Sequence, residues 1–325
     1  MVTAIEPLLH EQLIERRHKL ESAAAGFPTP TEVARLLEEV DAALLRMDRG
    51  MYGICEVCHD PIETERLIAD PLTRLCLGDL TPIQQRALED DLQLAAQIQA
   101  GLLPQQGKTM SGWEVAYHYQ PAGMVSGDYC DVINGDNQSL LFVLGDVSGK
   151  GVAASMLMAH LHAMFRTLVS VKMPLGKMIE QASRVFCEST LPTQYATLVC
   201  GRADSDGSVE ICNAGHLPPL LLQNGELSRL EATGLPLGIF CTESFRVTKV
   251  QMKKGDTLLL YTDGFSETNG SDGSEFGIDR LALLMSQNRD VHPNVLISLC
   301  REQLDEFAAT RPSDDLTLMA IQRTN

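Results

Sequence analysis

The stretch Leu140–Ala154, LLFVLGDVSGKGVAA, decides the fold. Leu140 to Gly145 is a near-continuous apolar run and reads as a buried strand. It ends at Asp146, and the Gly-rich turn beyond lets the backbone approach whatever that carboxylate holds. The same construction recurs at Thr257–Glu267, TLLLYTDGFSE, where the run leads into Asp263-Gly264. It is inverted at Pro312, Ser313, Asp314 and Asp315, which stand directly before LTLMAI. In SGDYCD, Asp128 and Asp131 follow a turn that contains Pro and Gly.

Working outward, everything from about residue 108 has the texture of short apolar or alternating runs bounded by Gly, Asp and Asn. The pattern predicts strands near 113–119, 140–146, 195–202, 208–213, 218–223, 245–251, 257–262 and 316–322. Long helices are predicted at about 151–171 and 175–190, and a further pair near 278–308. Many hairpin-like strands with segregated helices give an α+β fold, a β-sandwich flanked by helical layers, in place of a parallel βαβ sheet.

One Asp at a strand end is by default a turn residue. Four of them can converge, because the ends of different strands meet at one edge of a sandwich. Carboxylates gathered there repel one another and take up protons unless cations compensate them. Mg²⁺ and Mn²⁺ take oxygen ligands and tolerate carboxylates well. Two such ions about 3.5 to 4 Å apart can activate a shared water toward a phosphate ester. No P-loop, nucleophile elbow or HExxH offers a competing chemistry.

Ahead of this domain, residues 5–25 and 31–48 carry helical spacing, separated by Pro28 and Pro30, with Thr31 a plausible cap. A turn-rich segment follows that is too short to hold a core of its own and calls for a staple. Cys55 and Cys58 form a CxxC knuckle, and Cys76 comes after 17 intervening residues. That is close to a four-cysteine zinc spacing whose last position, residue 79, is Asp. A set of Cys55, Cys58, Cys76 and Asp79 could hold one structural Zn²⁺; His59 is a weaker substitute, and a metal-free finger is the alternative. From Thr81 to Leu103 the pattern is helical, and Leu88, Leu92, Ala95, Ile98 and Leu102 form a narrow stripe. The stripe allows two uses: a seam in a homodimer, or packing on the domain that follows. The expected organisation is a finger module at 1–80, a linker helix at 81–107 and a catalytic domain at 108–325.

The chain of 325 residues has 26 Lys+Arg against 43 Asp+Glu, a formal net charge of -17. Such a charge repels a phosphate backbone, so nucleic acid is not the expected partner. The first twenty residues do not read as a signal peptide, and no apolar run approaches a membrane span, so the expected location is cytoplasmic. Cys130, Cys187, Cys200, Cys212, Cys241 and Cys300 are scattered and read as core thiols.

The motifs GDVSGKG, YTDGFSE and SDDLTL, with SGDYCD upstream, resemble the stage-II-sporulation-protein-E-type branch of the metal-dependent protein phosphatases, the protein phosphatase 2C class. The resemblance implies hydrolysis of phosphoserine or phosphothreonine on a protein with two or more Mn²⁺ or Mg²⁺. It implies that Asp146 bridges both metals and that the Val147 carbonyl holds one of them. Asp263 and Asp314 would serve the second, and Asp128 would act mainly through water. Asp131 and Asp315 would support these ligands, and Lys150 could attract a phosphate. DLQLAAQIQAGLLP resembles the helix that transmits regulation in this branch, and GLPLGI and NAGHLPPLL resemble further landmarks around the site. His216, in the latter, reads as a structural loop residue in preference to a proton donor, and His160 and His162 as solvent or packing residues.

Residues 30–80 resemble the DksA/TraR zinc-finger family. Kinship implies a phosphorylated anti-sigma-factor antagonist as substrate. The rival is an inactive phosphatase-like module that docks on the transcription machinery through its finger.

Overall fold

The computed structural model describes residues 2–24, 31–135, 139–289, 291–309 and 314–325. Pro28, Pro30, Pro312 and Ser313 lie outside the described residues. The chain divides into two compact units, Met1–Asp91 and Leu92–Asn325.

In the first unit, α1 (Val2–Ala24) and α2 (Thr31–Asp48) precede the finger, which contains α3 (Thr64–Ala69) and a single 3₁₀ turn, Leu77–Asp79. The finger does not stand on a core of its own. Leu9 and Leu13 of α1 and Val40, Ala43, Leu44 and Met47 of α2 share one buried cluster with Tyr52, Cys55, Ile62, Leu67 and Cys76. The helix α4 (Pro82–Leu102) then carries the chain through the boundary between the units.

The second unit contains β1 (Lys108–Met110), β2 (Trp113–Gln120), β3 (Tyr129–Asn134), β4 (Leu140–Val147), α5 (Gly151–Val169), α6 (Leu175–Ser189), β5 (Ala196–Ala203) and β6 (Ser208–Ala214). These are followed by β7 (Leu220–Gln223), β8 (Glu226–Arg229), β9 (Thr248–Gln251), β10 (Thr257–Tyr261), α7 (Asp263–Ser266), α8 (Ile278–Gln287), α9 (Pro293–Phe307) and β11 (Leu316–Arg323). Two antiparallel sheets result, ordered β1-β2-β11-β10-β7-β8 and β3-β4-β5-β6-β9.

Residue alternation decides what each sheet face covers. Leu140, Phe142 and Leu144 of β4 and Leu258 and Leu260 of β10 enter a cluster between the sheets. The alternate residues Leu141 and Val143 turn to α5 and α6, and Leu259 and Tyr261 turn to α8 and α9. The layers are therefore helix, sheet, sheet, helix. Gly201 stands opposite Phe142 in the β4–β5 register, where a Cβ would lie 2.0 Å from the ring. Side chains are absent there because the aromatic ring fills the space.

By length and composition α5 could cross a membrane. Here its Ala154, Met158, Leu161 and Phe165 are buried, and the last three pack in the cluster beneath the five-stranded sheet. Cys130, Cys200, Cys212 and Cys300 are buried free thiols, as expected. Cys187 and Cys241 correct the reading, being joined as a disulfide across a separation of 54 residues. Their separation carries no spacing signal, because the pairing depends on how the loop after β8 returns to α6.

Candidate functional site

Antiparallel pairing brings the aspartates to one end of the sandwich. Asp146 closes β4, whose partner β3 begins just after Asp128, since Tyr129 pairs with Gly145. Asp263 follows β10, and Asp314 precedes β11, with Tyr261 opposite Leu318. Close backbone approaches join these ends. A Cβ on Gly127 would stand 3.3 Å from the Val147 carbonyl oxygen and 3.7 Å from Asp146 Oδ1. At Gly264 a Cβ would meet the Asp315 carbonyl oxygen at 2.2 Å, so the turn after Asp263 requires glycine.

Asp128 is 1% exposed, and its Oδ2 accepts hydrogen bonds from Thr262 Oγ1 at 2.9 Å and Thr317 Oγ1 at 2.5 Å. Its N–H donates to Ser126 Oγ at 3.0 Å. The two threonines also join β10 to β11, because the Thr317 N–H donates to Thr262 Oγ1 at 3.0 Å. Neither threonine was singled out from sequence. Thr317 is a hydroxyl within β11 and Thr262 stands between β10 and α7, a signal that gains meaning once the register is known.

The carboxylates feel one another. Burial, then Asp263, Asp314 and Asp315, push the Asp146 carboxyl up to about 7. Burial, then Asp146, raises Asp128 well above the usual carboxylate range. Burial and then Asp314 raise Asp263. A cluster of mutually repelling carboxylates of this kind fits hard divalent cations. The oxygens that could serve them belong to Asp128, Asp146, the Val147 carbonyl, Asp263 and Asp314.

Asp131 separates from this group. Arg166 of α5 holds it through two hydrogen bonds of 2.8 and 2.7 Å, and His162 Nε2 lies 3.8 Å away. Asp131 thus fastens α5 to β3. Asp315 accepts the N–H groups of Ala122 and Gly127, each at 2.8 Å, and so shapes the loop before Asp128. From the other side Gln99 of α4, a buried amide, donates to the Ser126 carbonyl at 2.7 Å and accepts the Ser126 N–H at 2.9 Å. Lys150 Nζ is 2.8 Å from Asp314 Oδ2.

His216 is buried between strands. Its Nε2 lies 3.1 Å from the Tyr261 carbonyl oxygen, which only a protonated nitrogen can satisfy, so Nδ1 accepts from Thr197 Oγ1 at 2.8 Å. Burial lowers its pKa to about 4. A neutral imidazole joining β5 to β10 is a brace for the strands behind Asp146 and Asp263. His160 touches Ser189 and the Phe186 ring.

In the finger, the ligand atoms of Cys55, Cys58, Cys76 and Asp79 all lie within 4.8 Å of one another. Asp79 Oδ2 is 3.2 Å from Cys55 Sγ and 3.3 Å from Cys76 Sγ. His59 is exposed and outside this group. Three thiols and a carboxylate are a donor set suited to zinc.

A two-sheet sandwich between helical layers, with aspartates at one end of both sheets, is the protein phosphatase 2C-like fold. The family model of the Stage II sporulation protein E (SpoIIE) matches residues 136–324, more than half of the chain, and the chain belongs to that family. A prokaryotic dksA/traR C4-type zinc finger matches residues 50–78. Protein IcfG of Synechocystis is 26% identical over 262 residues, covering 72% of this chain and 41% of that protein. Phosphoserine phosphatase RsbU of Bacillus subtilis is 24% identical over 246 residues, covering 74% of this chain and 72% of that protein. Among solved structures, the RsbU and RsbW domains of a Mycobacterium tuberculosis protein superpose with a TM-score of 0.59 at 28% identity, covering 68% of this chain and 63% of that one.

Proposed function

We propose that this chain is a Mg²⁺- or Mn²⁺-dependent protein-serine/threonine phosphatase acting on a phosphorylated anti-sigma-factor antagonist in the cytoplasm. One observation carries the reading: four aspartates from four strand ends meet at one edge, and three of them have raised pKa values through burial and one another. Family membership and the likeness to a phosphoserine phosphatase, RsbU, support a phosphoserine substrate.

In this reading Asp146, Asp263, Asp314 and the Val147 carbonyl would hold two ions, and Asp128 would contribute through water. Bound there, the ions would lower the pKa of a water and clamp phosphoryl oxygens. Thr262 and Thr317 orient Asp128, and Asp315 and Gln99 keep its loop in register. Lys150, beside Asp314, supplies a cation near the entering phosphate. His216 remains neutral and moves no proton. Cys55, Cys58, Cys76 and Asp79 hold one structural Zn²⁺, and the exposed Leu88 and Ile98 of α4 serve a homodimer through the linker helix.

The test is phosphate release from a phosphoserine peptide. Activity with Mn²⁺ that disappears on Asp263→Asn, with the fold retained, is expected. Full activity in a chelator overturns the proposal.

A further inference from the structure

A cavity of about 430 Å³ lies beside Asp314. Its walls are Leu92 of α4, Met124 and Val125 of the loop before Asp128, and Val152 of α5, with Lys150 and Asp314 at its polar edge. We infer that this cavity is a subsite for an apolar side chain adjacent to the phosphoserine of the protein substrate. The inference rests on the phosphatase reading and adds a specificity determinant to it.

Continuity with the aspartate cluster is the first argument. Asp314 belongs both to the candidate metal ligands and to the wall of the cavity, so a phosphoserine held at the aspartates brings its neighbouring residue to this opening. The lining is the second. In a chain with a formal net charge of -17, the ground next to an acidic centre is apolar. Met124 and Val152 are each 46% exposed, and Met156, one helical turn beyond Val152, is 68% exposed and prolongs the strip. A volume of this size accommodates a Leu or Phe side chain, and binding sites are characteristically concave, apolar and edged by a few polar groups.

Preorganisation is the third argument. The loop that carries Met124 and Val125 is fastened at Ala122 and Gly127 by the Asp315 carboxylate and at Ser126 by the Gln99 amide. The wall is therefore formed before a substrate arrives and costs little ordering on binding. Leu92 and Gln99 both belong to α4, so one helix contributes to the cavity and to the loop that leads to Asp128.

The experiment compares two phosphoserine peptides that differ only in the residue next to the phosphoserine, Leu in one and Ser in the other, hydrolysed by the full chain with Mn²⁺. We expect kcat/KM to favour the Leu peptide at least tenfold, about 1.4 kcal/mol at 25 °C. A Met124→Ser, Val152→Ser double variant should reduce that preference to less than about threefold, through KM. It should turn over the Ser peptide within about twofold of the original chain, and Met124→Leu should retain the preference. Equal kcat/KM for the two peptides, or a preference that survives the double variant, overturns the subsite alone. Absence of turnover of both peptides overturns the phosphatase reading and the subsite with it.

Discussion

The two clusters of ligating side chains are built on opposite plans. In the finger, three thiols and one carboxylate come from two short turns and close to within 4.8 Å of one another, with Cys55 and Cys76 buried in the shared core. At the sandwich edge the carboxylates come from four strand ends in two sheets. There Asp128 is sealed behind two threonine hydroxyls, while the Asp314 side chain is 38% exposed beside Lys150. A closed soft-donor set holds a metal for the sake of the fold, and an open hard-donor set leaves room for water and phosphate.

The largest expected effect comes from removing the two kinds of metal separately. Asp146→Asn should lower Mn²⁺-dependent kcat on the order of a thousandfold and leave the zinc content of the purified protein unchanged. Cys76→Ser should do the reverse. Zinc measured by elemental analysis should fall below about a tenth of an equivalent, and the first unit should lose its cooperative melting, because structural zinc binding is itself folding free energy. An aryl phosphate should still be hydrolysed by that variant within a few-fold of the original rate. Parallel loss of both functions in either variant would mean that the two sites are not independent.

A smaller effect separates Asp131 from Asp128. Asp131→Asn leaves Arg166 without its anion and should cost about 2 to 3 kcal/mol in chemical denaturation, below the range for fully buried pairs because Arg166 is half exposed. Its Mn²⁺ affinity should be unchanged, whereas Asp128→Asn should weaken it. His216→Ala should cost about 2 kcal/mol by opening the Thr197 and Tyr261 contacts, with His216→Gln recovering part of it.

The pH dependence is the mildest test, and its sign follows from Asp146. Its folded pKa, raised to about 7, lies above the usual value, so in chelator the native state holds a proton that the unfolded chain has lost. Chelated protein should therefore lose stability as pH rises from about 4 to 7, by on the order of 4 kcal/mol. Saturating Mn²⁺ should cancel that slope. Conversely, Mn²⁺ affinity should fall about tenfold per pH unit below 7 as protons compete for the carboxylate. A pH-independent affinity between pH 6 and 8 would remove Asp146 from the ligand set.

Much of the sandwich was legible because strands buried on both faces are unbroken apolar runs, as in LLFVLG and TLLLY. β3 was not, because Asp131 interrupts it with a charge whose partner, Arg166, stands 35 residues away. No strand is therefore predicted at Tyr129–Asn134, and SGDYCD reads only as the segment that follows a turn. The helical turn α7 was hidden by Gly264, whose reason is the Asp315 carbonyl across the strand ends. β1 and β8, of three and four residues, are too short to produce a periodicity. The aspartates were visible as residues at strand ends, but Thr262, Thr317 and Gln99 were not, since their partners are fixed only by register and by the path of the loop. The Cys187–Cys241 disulfide failed for the same reason.

Anomalous diffraction from crystals grown with Mn²⁺ and Zn²⁺ distinguishes hydrolytic metals at the sandwich edge from a structural one in the finger. Two manganese peaks are expected among Asp146, Asp263 and Asp314, and one zinc peak among Cys55, Cys58, Cys76 and Asp79. Density free of manganese at the aspartates, in crystals whose finger carries zinc, would contradict the hydrolytic assignment.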